Sequence, residues 1–457
     1  MEPILNLSPT GASPSGSSDH PSRVDKGGDR VLVLGAGVSG MAAARLAVSQ
    51  GMSVTVYDEA PREQLQEGVG TASGEWDPVL LEGIELVVAS PGFSERSLPI
   101  VDTLERGLPI WSEIEFAYRY VDAPVVAVTG TNGKTSVTEA TAAMLDASGR
   151  DAPATGNIGA PLSDFTDRTY DVLVVEVSSF QLRFTETFHP VAAAITNVAI
   201  DHLDWHGSAH SYREAKSRVY ANQTATDLLV YDCDDEGATR LVSGAPAELF
   251  PVSGTRMPEG GGGVDAGTLR VGDFAVDVND LSSDDPTHLV NLTCAAALAL
   301  RVGGTPDGVA KGAIAYRPGL HRRTVVAEAG GVKWVDDSKA TNPHAALASI
   351  RAHGPVILIA GGLAKGVDLT PLAGAENVRM LIAIGEAGPD LVAAAGERGR
   401  LAGTMEIAVE VAANAARPGD TVLLAPGCAS FDQFVSYGAR GDRFAELVRE
   451  RSRRAGQ

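Results

Sequence analysis

Short apolar runs alternate with longer segments of mixed polarity along most of the chain. The first series contains "VLVLGAG", "SVTVYD" and "IELVVASPG", each of which ends near glycine, proline or an acidic residue. Runs of this kind with helix-length segments between them are typical of parallel strands with crossover helices. The pattern begins again at "VVAVTGTNGKTS" and at "GPVILIAGG". We therefore predict an α/β protein of three domains, over residues 30–121, 122–318 and 319–457.

Two segments depart from this pattern. Residues 1–29 are rich in Ser, Gly, Pro and Asp, a composition that buries too little apolar area to offset ordering entropy, so we predict a disordered tail. The segment "VSGTRMPEGGGGVDAGTLRVGDFAVDV" combines a glycine loop with short alternating runs. It predicts a β-rich insertion in the second domain.

Composition narrows the possible partners. The chain has 457 residues and a formal charge of −21, which argues against a nucleic-acid or anionic-membrane surface. No apolar run approaches the ~20 residues that span a bilayer. The cysteines Cys233, Cys294 and Cys428 lack metal-site or disulfide spacing, so a reduced, cytoplasmic protein is expected.

A glycine turn opens the first domain. In "VLVLGAGVSGMAAARLA", Gly35, Gly37 and Gly40 follow an apolar strand and precede a helix-forming segment, and Asp58 ends the next strand. This spacing is typical of a turn that presents backbone amides to a diphosphate, most familiarly that of NAD. A tight turn without a ligand is the alternative.

A second glycine turn, in "VVAVTGTNGKTS", ends in Gly-Lys-Thr. Such a loop cradles phosphates with backbone amides, while Lys134 reaches the β and γ oxygens and the Thr135 hydroxyl binds magnesium. Val128 stands where the strict motif has its first glycine. The short form remains specific for a nucleotide site.

Acidic and basic residues follow the next two strands. Glu176 ends "YDVLVVE", where open α/β sheets gather ligands, although a surface glutamate is the ordinary alternative. The next strand leads into Asp201, His202, Asp204 and His206, which could converge on a magnesium nucleotide. Lys216 follows on a helix, where a lysine is normally a solvated charge.

Eight segments in order give the chain a resemblance to the Mur ligases. They are "TGTNGKTS", "GNIG", "EVSSFQL", "TNVAIDHLDWHG", "EAKSRVY", "HRRTV", "DDSKATNP" and "APGCASFDQF", and the resemblance runs from Val31 to about Ala445. The forms "EVSSFQL", "DSKATN" and "CASFDQF" are most similar to the branch that adds D-glutamate. The resemblance implies a Rossmann-like N-terminal domain, a central P-loop ATPase-like domain with a mostly parallel sheet, and a C-terminal dinucleotide-fold-like domain.

The resemblance also implies a ligand for the first glycine turn, which is a UDP-linked peptidoglycan precursor rather than NAD. The residues it assigns to that precursor are Gly35, Gly37, Val38, Ser39, Gly40, Asp58, Ser90, Pro91, Gly92, Asn157 and His202. The family often follows its strand-ending acid with Thr-Arg, whereas this chain has Glu59 and Ala60. How the uracil is held is therefore left open.

For the nucleotide, the resemblance implies ATP and two magnesium ions. The phosphate loop is Gly130, Thr131, Asn132, Gly133, Lys134, Thr135 and Ser136, and the base and ribose positions are Asn291, Arg322 and Asp337. Lys134, Glu176, His202 and Lys216 are the implied catalytic residues, and Thr135, Glu176, His202 and Lys216 the implied metal ligands. Lys216 would ligate as a carbamate formed with carbon dioxide, since an ammonium cannot bind a cation. The family's second adenine-site asparagine is Cys294 here, so adenine recognition is expected to be weakened or rerouted.

The third domain would select D-glutamate. The matching positions are Lys339, Thr341, Lys365, Ser430, Phe431 and Tyr437. Without the motif order, Lys365 would be a loop charge and Ser430 a helix cap. The implied reaction adds D-glutamate to UDP-N-acetylmuramoyl-L-alanine through an acyl phosphate. We expect a monomer that binds small molecules, with no nucleic acid and no membrane insertion.

Three other functions are weighed against this one. Another amide ligase of the superfamily, adding alanine or a diamino acid or extending folate, would share the motif order. The "DNPR" element expected of the diamino-acid enzyme is absent. A nicotinamide dehydrogenase leaves "GTNGKTS" and Lys216 without purpose, and a P-loop switch accounts only for the second domain.

Overall fold

The computed structural model describes residues 29–60, 68–364 and 366–455. They form two compact units, one ending at Tyr316 and one beginning at Arg317. The predicted tail, apart from its last residue, and Lys365 lie outside the described residues. No helix in the described ranges is both long enough and apolar enough to cross a bilayer.

The N-terminal sheet of the first unit has five parallel strands in the order β3-β2-β1-β4-β5. Its strands are β1 Arg30–Leu34, β2 Ser53–Asp58, β3 Val69–Ser73, β4 Leu86–Ala89 and β5 Ile110–Ser112. Its helices are α1 Val38–Ser49, α2 Leu98–Glu105 and α3 Glu113–Tyr118. Because helices cover both faces of a parallel sheet, the strands are continuous apolar runs. In β4 every residue is buried.

The central sheet has six parallel strands in the order β11-β10-β9-β6-β8-β7. In chain order the elements are β6 Val125–Thr129, α4 Lys134–Asp146, β7 Ala154–Gly156, β8 Leu173–Glu176, α5 Ser179–Arg183, β9 Ala192–Ile195, α6 Leu203–His206, α7 Ala209–Ser217, β10 Leu228–Asp232, α8 Glu236–Val242 and β11 Glu248–Val252. One continuous cluster of buried residues includes Val31 of β1, Phe116 of α3 and Val125 of β6. The two sheets therefore share a core and form one unit.

The predicted β-rich insertion is confirmed as a three-stranded antiparallel sheet. Its strands are β12 Gly263–Asp265, β13 Thr268–Val271 and β14 Phe274–Asp277, and two helices complete the unit, α9 Pro286–Arg301 and α10 Pro306–Ala315. The Asp285 carboxylate caps α9 by accepting from the amides of Thr287 and His288. α9 is buried along most of its length because it packs over the central sheet and against α4.

The second unit contains a six-stranded sheet in the order β15-β16-β20-β17-β18-β19, parallel except for the β15–β16 pair. Its elements are β15 Thr324–Ala329, β16 Val332–Asp336, α11 Pro343–Arg351, β17 Val356–Gly361, α12 Thr370–Gly374, β18 Val378–Ile384, α13 Gly388–Ala395, β19 Gly399–Gly403, α14 Met405–Ala415, β20 Thr421–Leu424 and α15 Tyr437–Ala455. The expected α/β class with parallel sheets in successive domains is confirmed.

Candidate active site

The first glycine turn is built by close backbone packing. β1 ends at Leu34, and Gly35 follows with φ +100°, a conformation that L side chains rarely adopt. A Cβ at Gly40 would lie 1.9 Å from the Gly35 carbonyl oxygen, so α1 approaches the turn only because residue 40 is glycine. A Cβ at Gly37 would meet no atom within 4 Å. Gly37 therefore faces open space, while Gly40 serves packing.

That open space belongs to a cleft of about 430 Å³. Its lining combines the turn, the end of β2 and the loop after β4, namely Gly35, Gly37, Val38, Ser39, Asp58, Glu59, Ser90, Pro91, Gly92 and Phe93. The structure thus brings together the residues assigned to the precursor in this domain, apart from Gly40. Asp58 accepts from the Ala36 amide (2.8 Å) and the Ala60 amide (3.1 Å), so its carboxylate also braces the turn.

The phosphate loop connects β6 to α4. Gly133 adopts φ +83° at the N-cap of α4, and the Lys134 ammonium donates to the carbonyl oxygens of Gly130 and Thr131, both at 3.0 Å. The segment after β9 is hydrogen-bonded to the phosphate loop. There the Asn197 side chain accepts from the Asn132 amide at 2.9 Å. Amides at a helix N-terminus beside a lysine are suited to a polyphosphate.

Glu176 lies at the end of β8 and is buried. Its Oε1 accepts from Asn157 Nδ2 at 2.8 Å, and the Asn157 amide donates to the Glu176 carbonyl oxygen at 2.9 Å. Among the described residues, its Oε2 is buried without a hydrogen-bond partner. The alternative of a surface glutamate is therefore wrong, and a buried carboxylate oxygen of this kind suits a hard cation.

Lys216, in the last turn of α7, is only 1% exposed, so the alternative of a solvated helical lysine is wrong. Its Nζ donates to the Gly130 carbonyl oxygen at 2.6 Å, the same oxygen that accepts from Lys134. Burial, and then the charge of Lys134, hold the pKa of Lys216 well below its usual value, while Asp201 and Glu176 act in the opposite direction. A buried lysine, a buried carboxylate and the phosphate loop thus form one electrostatic cluster.

His202 and His206 have different surroundings. His202 has φ +52°, and its ring centroid lies 4.7 Å from that of Phe180. His206 is buried, hydrogen-bonded through Nε2 to Ser179 Oγ at 3.0 Å, and stacked on Phe180. In the described part of the chain, no three His, Cys, Asp or Glu side chains are grouped as a metal site. Asp201, His202 and His206 are therefore not grouped as a metal site by themselves, and the side chain of Asp204, the fourth member of the predicted cluster, lies outside the described part of the structure.

The two α9 positions also differ. A Cβ at Gly133 would lie 2.8 Å from Asn291 Oδ1, so Asn291 packs beside the phosphate loop. Cys294 is buried in the hydrophobic core between α9 and the sheet, and burial raises its thiol pKa well above the usual value. It therefore serves packing.

The second unit places several of the expected residues on the loops after β16 and β20. Lys339 Nζ lies 4.1 Å from the ring centroid of Tyr437, and Ser338 Oγ donates to the Tyr437 carbonyl oxygen at 2.8 Å. Burial raises the pKa of Asp337 to about 6. The other assigned positions differ in exposure: Thr341 and Arg322 are half-buried, Ser430 is buried and Phe431 is exposed.

Sequence reasoning missed the buried Arg440, which braces these loops. Its guanidinium donates to the Ser338 hydroxyl and carbonyl oxygens, each at 2.9 Å, and to the Cys428 carbonyl oxygen at 3.1 Å. His321 was likewise missed, although it opens the quoted segment "HRRTV", and its Nδ1 lies 2.6 Å from an Asp336 oxygen. No local pattern marks Arg440, because its main partner, Ser338, lies 102 residues earlier in the chain.

Three family models match the chain. They are a Mur ligase MurD-like N-terminal domain over residues 29–112, a Mur ligase middle domain over 128–253, and a Mur ligase glutamate ligase domain over 321–428. A UDP-N-acetylmuramoylalanine--D-glutamate ligase of Frankia casuarinae is 41% identical, covering 92% of this chain and 94% of its own. A ligase of the same name from Streptomyces coelicolor is 38% identical, with coverage of 93% and 98%.

Solved structures show the same fold. MurF from Acinetobacter baumannii aligns with a TM-score of 0.60 at 18% identity, covering 92% of this chain and 91% of that one. A pseudomurein peptide ligase type C from Methanothermus fervidus aligns with a TM-score of 0.58 at 18% identity, covering 92% and 99%. The chain belongs to the Mur ligase family, and both the expected resemblance and the expected ligase class are confirmed.

Proposed function

We propose that this protein is an ATP-dependent ligase that joins D-glutamate to UDP-N-acetylmuramoyl-L-alanine in peptidoglycan precursor synthesis. The structural observation that carries this proposal is the cluster formed by Lys134, Lys216 and Glu176 around the phosphate loop. Its support from sequence is the similarity to D-glutamate ligases over most of the chain.

The chemistry follows from the weakness of a carboxylate as an electrophile. An oxygen of the L-alanine carboxylate attacks the γ-phosphorus of ATP, ADP leaves, and an acyl phosphate forms. The D-glutamate amine then attacks the acyl carbon, and the tetrahedral intermediate loses phosphate with the C–O bonding pair while the nitrogen loses a proton. Negative charge accumulates in both steps. Lys134 is placed to offset charge on the phosphoryl oxygens, and positioning and charge neutralisation supply most of the catalysis in such transfers.

Magnesium fits this donor set. The residues that would hold it are Thr135, Glu176, His202 and Lys216, and the buried, unpartnered Oε2 of Glu176 among the described residues supports the fit. When bound, the metal supplies positive charge against the polyphosphate. For Lys216 to ligate, its neutral amine must add to carbon dioxide and release a proton, which yields a carbamate oxygen donor. Burial of the amine supports this step because it favours the neutral form.

The remaining ligand contacts complete the proposal. The 430 Å³ cleft would receive the UDP diphosphate, and the Ser90 hydroxyl offers a buried oxygen that has no hydrogen-bond partner in the described ranges. Asn157 would contact the precursor, and Asn291, Arg322 and Asp337 the nucleoside of ATP. D-glutamate would meet Lys339, Thr341, Lys365, Ser430, Phe431 and Tyr437. We also propose a cytoplasmic monomer.

The deciding experiment measures phosphate release with ATP and the UDP precursor while the amino acid is varied. D-glutamate should support turnover, whereas L-alanine, L-glutamate and a diamino acid should not. A higher kcat/KM for L-alanine or for the diamino acid would reject the assignment in favour of another branch of the family.

A further inference from the structure

Trp205 lies where the cleft region of the N-terminal sheet meets the region around the phosphate loop of the central sheet. It lies in α6, three residues after His202, and is 8% exposed. Its ring centroid is 4.8 Å from that of Phe180 and 6.3 Å from that of Phe184, which lie on and directly after α5. Because α5 follows the strand that ends in Glu176, the indole packs the segment that carries His202 against the segment that follows Glu176.

The same ring belongs to the core beneath the N-terminal sheet. It is part of a buried cluster with Leu32 and Leu34 of β1, Tyr57 of β2 and Phe93. Phe93 also lines the precursor cleft. The indole therefore packs on both sides of the junction between the N-terminal and central sheets.

A hydrogen bond also connects the Trp205 indole to a residue of the cleft. Trp205 Nε1 donates to the Pro91 carbonyl oxygen at 3.2 Å, across 114 residues of sequence. Pro91 lies in the loop after β4, between Ser90 and Gly92, and all three residues line the cleft. The indole N–H thus holds the cleft loop by its backbone.

Two further residues, Glu95 and Arg96, attach the same loop to the same elements. Glu95 Oε1 lies 3.0 Å from Arg183 Nε of α5 and 3.6 Å from His206 Nδ1 of α6. A Cβ at Gly207 would lie 1.9 Å from Arg96 Nη2, so the glycine at the C-cap of α6 leaves the space that Arg96 occupies. Residues 90–96, here termed the cleft loop, are therefore clamped to α5 and α6 along their length.

The geometry points to Trp205 as a positioning residue that fixes the cleft loop in its precursor-binding conformation relative to the reaction centre. This inference rests on the proposed function, because it takes the cleft as the site of the UDP group. The precursor would be bound by its diphosphate at the cleft loop and by its carboxylate near the phosphate loop. Its reaction with ATP then requires a fixed separation between these two loops. The Trp205 hydrogen bond sets that separation from the cleft side.

The test replaces Trp205 with phenylalanine, which keeps an aromatic ring and removes the N–H donor. Loss of one neutral hydrogen bond corresponds to about a 3- to 10-fold effect. The precursor KM and the Kd for UDP alone, measured by calorimetry, should both rise by that factor. The ATP KM should remain within about twofold, since the phosphate loop keeps its own supports.

Trp111→Phe is the matched control. Trp111 Nε1 also bonds across the junction between the two sheets, to Glu186 Oε2 at 3.1 Å, but Trp111 does not line the cleft. The Trp111→Phe variant should leave the precursor KM and the UDP Kd unchanged. Glu95→Gln weakens the second clamp and should shift both constants in the same direction as Trp205→Phe. It decides the question if Trp205→Phe does not fold.

Unchanged UDP affinity in both Trp205→Phe and Glu95→Gln would overturn the inference. A parallel rise in the ATP KM would do so as well, because it would indicate general loosening of the unit. These outcomes are distinct from failure of the proposed function, which would appear in the unmodified protein as lack of UDP binding or of D-glutamate-dependent phosphate release.

Discussion

Replacement of Lys216 separates a structural from a chemical role for this side chain. Lys216→Ala removes three methylenes and a buried amine from a site that is 1% exposed. The methylenes contribute about 2 kcal/mol of burial, at ~0.8 kcal/mol each, and loss of the desolvated amine offsets part of that. The Gly130 carbonyl oxygen keeps its hydrogen bond from Lys134 at 3.0 Å, and alanine is favourable in a helix. The variant should therefore fold.

The effect on turnover should be much larger. A group that supports charge developing at a transition state contributes about 2.7–4 kcal/mol, which corresponds to roughly 10²–10³ in kcat. Lys216→Ala should lose at least that factor, and Lys216→Arg should not recover it, because a guanidinium forms no such carbamate. Small carboxylic acids in solution should partly restore Lys216→Ala by supplying an oxygen donor. The matched control is Lys311→Ala, which removes an exposed helical lysine of α10 and should retain full activity.

The assay is phosphate release at saturating ATP, precursor and D-glutamate, in carbon dioxide-depleted buffer and again after bicarbonate is added. Bicarbonate should raise the activity of the unmodified protein, and ¹³C-labelled bicarbonate should give a carbamate signal that Lys216→Ala lacks. Near-full activity of Lys216→Arg would refute the reasoning. So would a fully active protein with no labelled adduct.

Three further substitutions test other parts of the molecule. Gly37→Val points a side chain into the open cleft, where a Cβ meets no atom within 4 Å, and should raise the precursor KM far more than the ATP KM. Gly244→Val, in an equally open position outside the cleft lining, is its control. Saturable NADH binding that neither UDP nor the precursor displaces would contradict the assignment of the cleft to the UDP precursor. Burial raises the carboxyl pKa of Glu113 from 4.5 to about 7, so the folded state binds its proton more tightly than the unfolded state does. The free energy of unfolding should therefore fall by roughly 3 kcal/mol as pH rises between those two values. In urea unfolding from pH 4.5 to 8, Glu113→Gln should lose this fall of the unfolding free energy with pH, and the surface control Glu105→Gln should keep it. An unchanged pH dependence in Glu113→Gln would assign the effect to other groups. Lys365→Ala should raise the D-glutamate KM by a factor equivalent to roughly 1.5–3 kcal/mol while acyl-phosphate formation survives, and an unchanged KM would remove Lys365 from the amino-acid site.

The fold was predictable because its sheets are mostly parallel and covered on both faces. A run such as "VLVL" in β1 is buried at every residue and needs no alternation to be identified as a strand. The ends of such strands also predicted where polar residues gather. Glu176 ends β8, Gly130 follows the adjacent strand β6, and both lie close to Lys216 in the structure.

Burial on polar helices could not be predicted in the same way. The segment "AHSYREAKS" of α7 is mostly polar, and only Tyr212 and Ala215 share its buried face with Lys216. Its burial is a tertiary effect, since its hydrogen-bond partner Gly130 lies 86 residues earlier. The bonds from Trp205 to Pro91 and from Arg440 to Ser338 span 114 and 102 residues. Contacts of this range leave no periodic signal in the sequence.

Two of these long-range bonds, those of Lys216 and Trp205, come from one segment, residues 197–216, which contacts both the phosphate loop and the cleft loop. It meets the phosphate loop through Asn197, Tyr212 and Lys216, with Tyr212 OH 2.9 Å from Thr131 Oγ1. It meets the cleft loop through Trp205, which donates to the Pro91 carbonyl oxygen. A reaction that transfers a phosphoryl group from one bound substrate to another requires both to be held within van der Waals reach of each other. One segment bonded to both loops supplies that constraint directly, because neither loop can shift without disturbing it. Under the proposed function, the glycine turn of the first domain is half of a two-substrate site, which a dinucleotide pattern considered alone does not indicate.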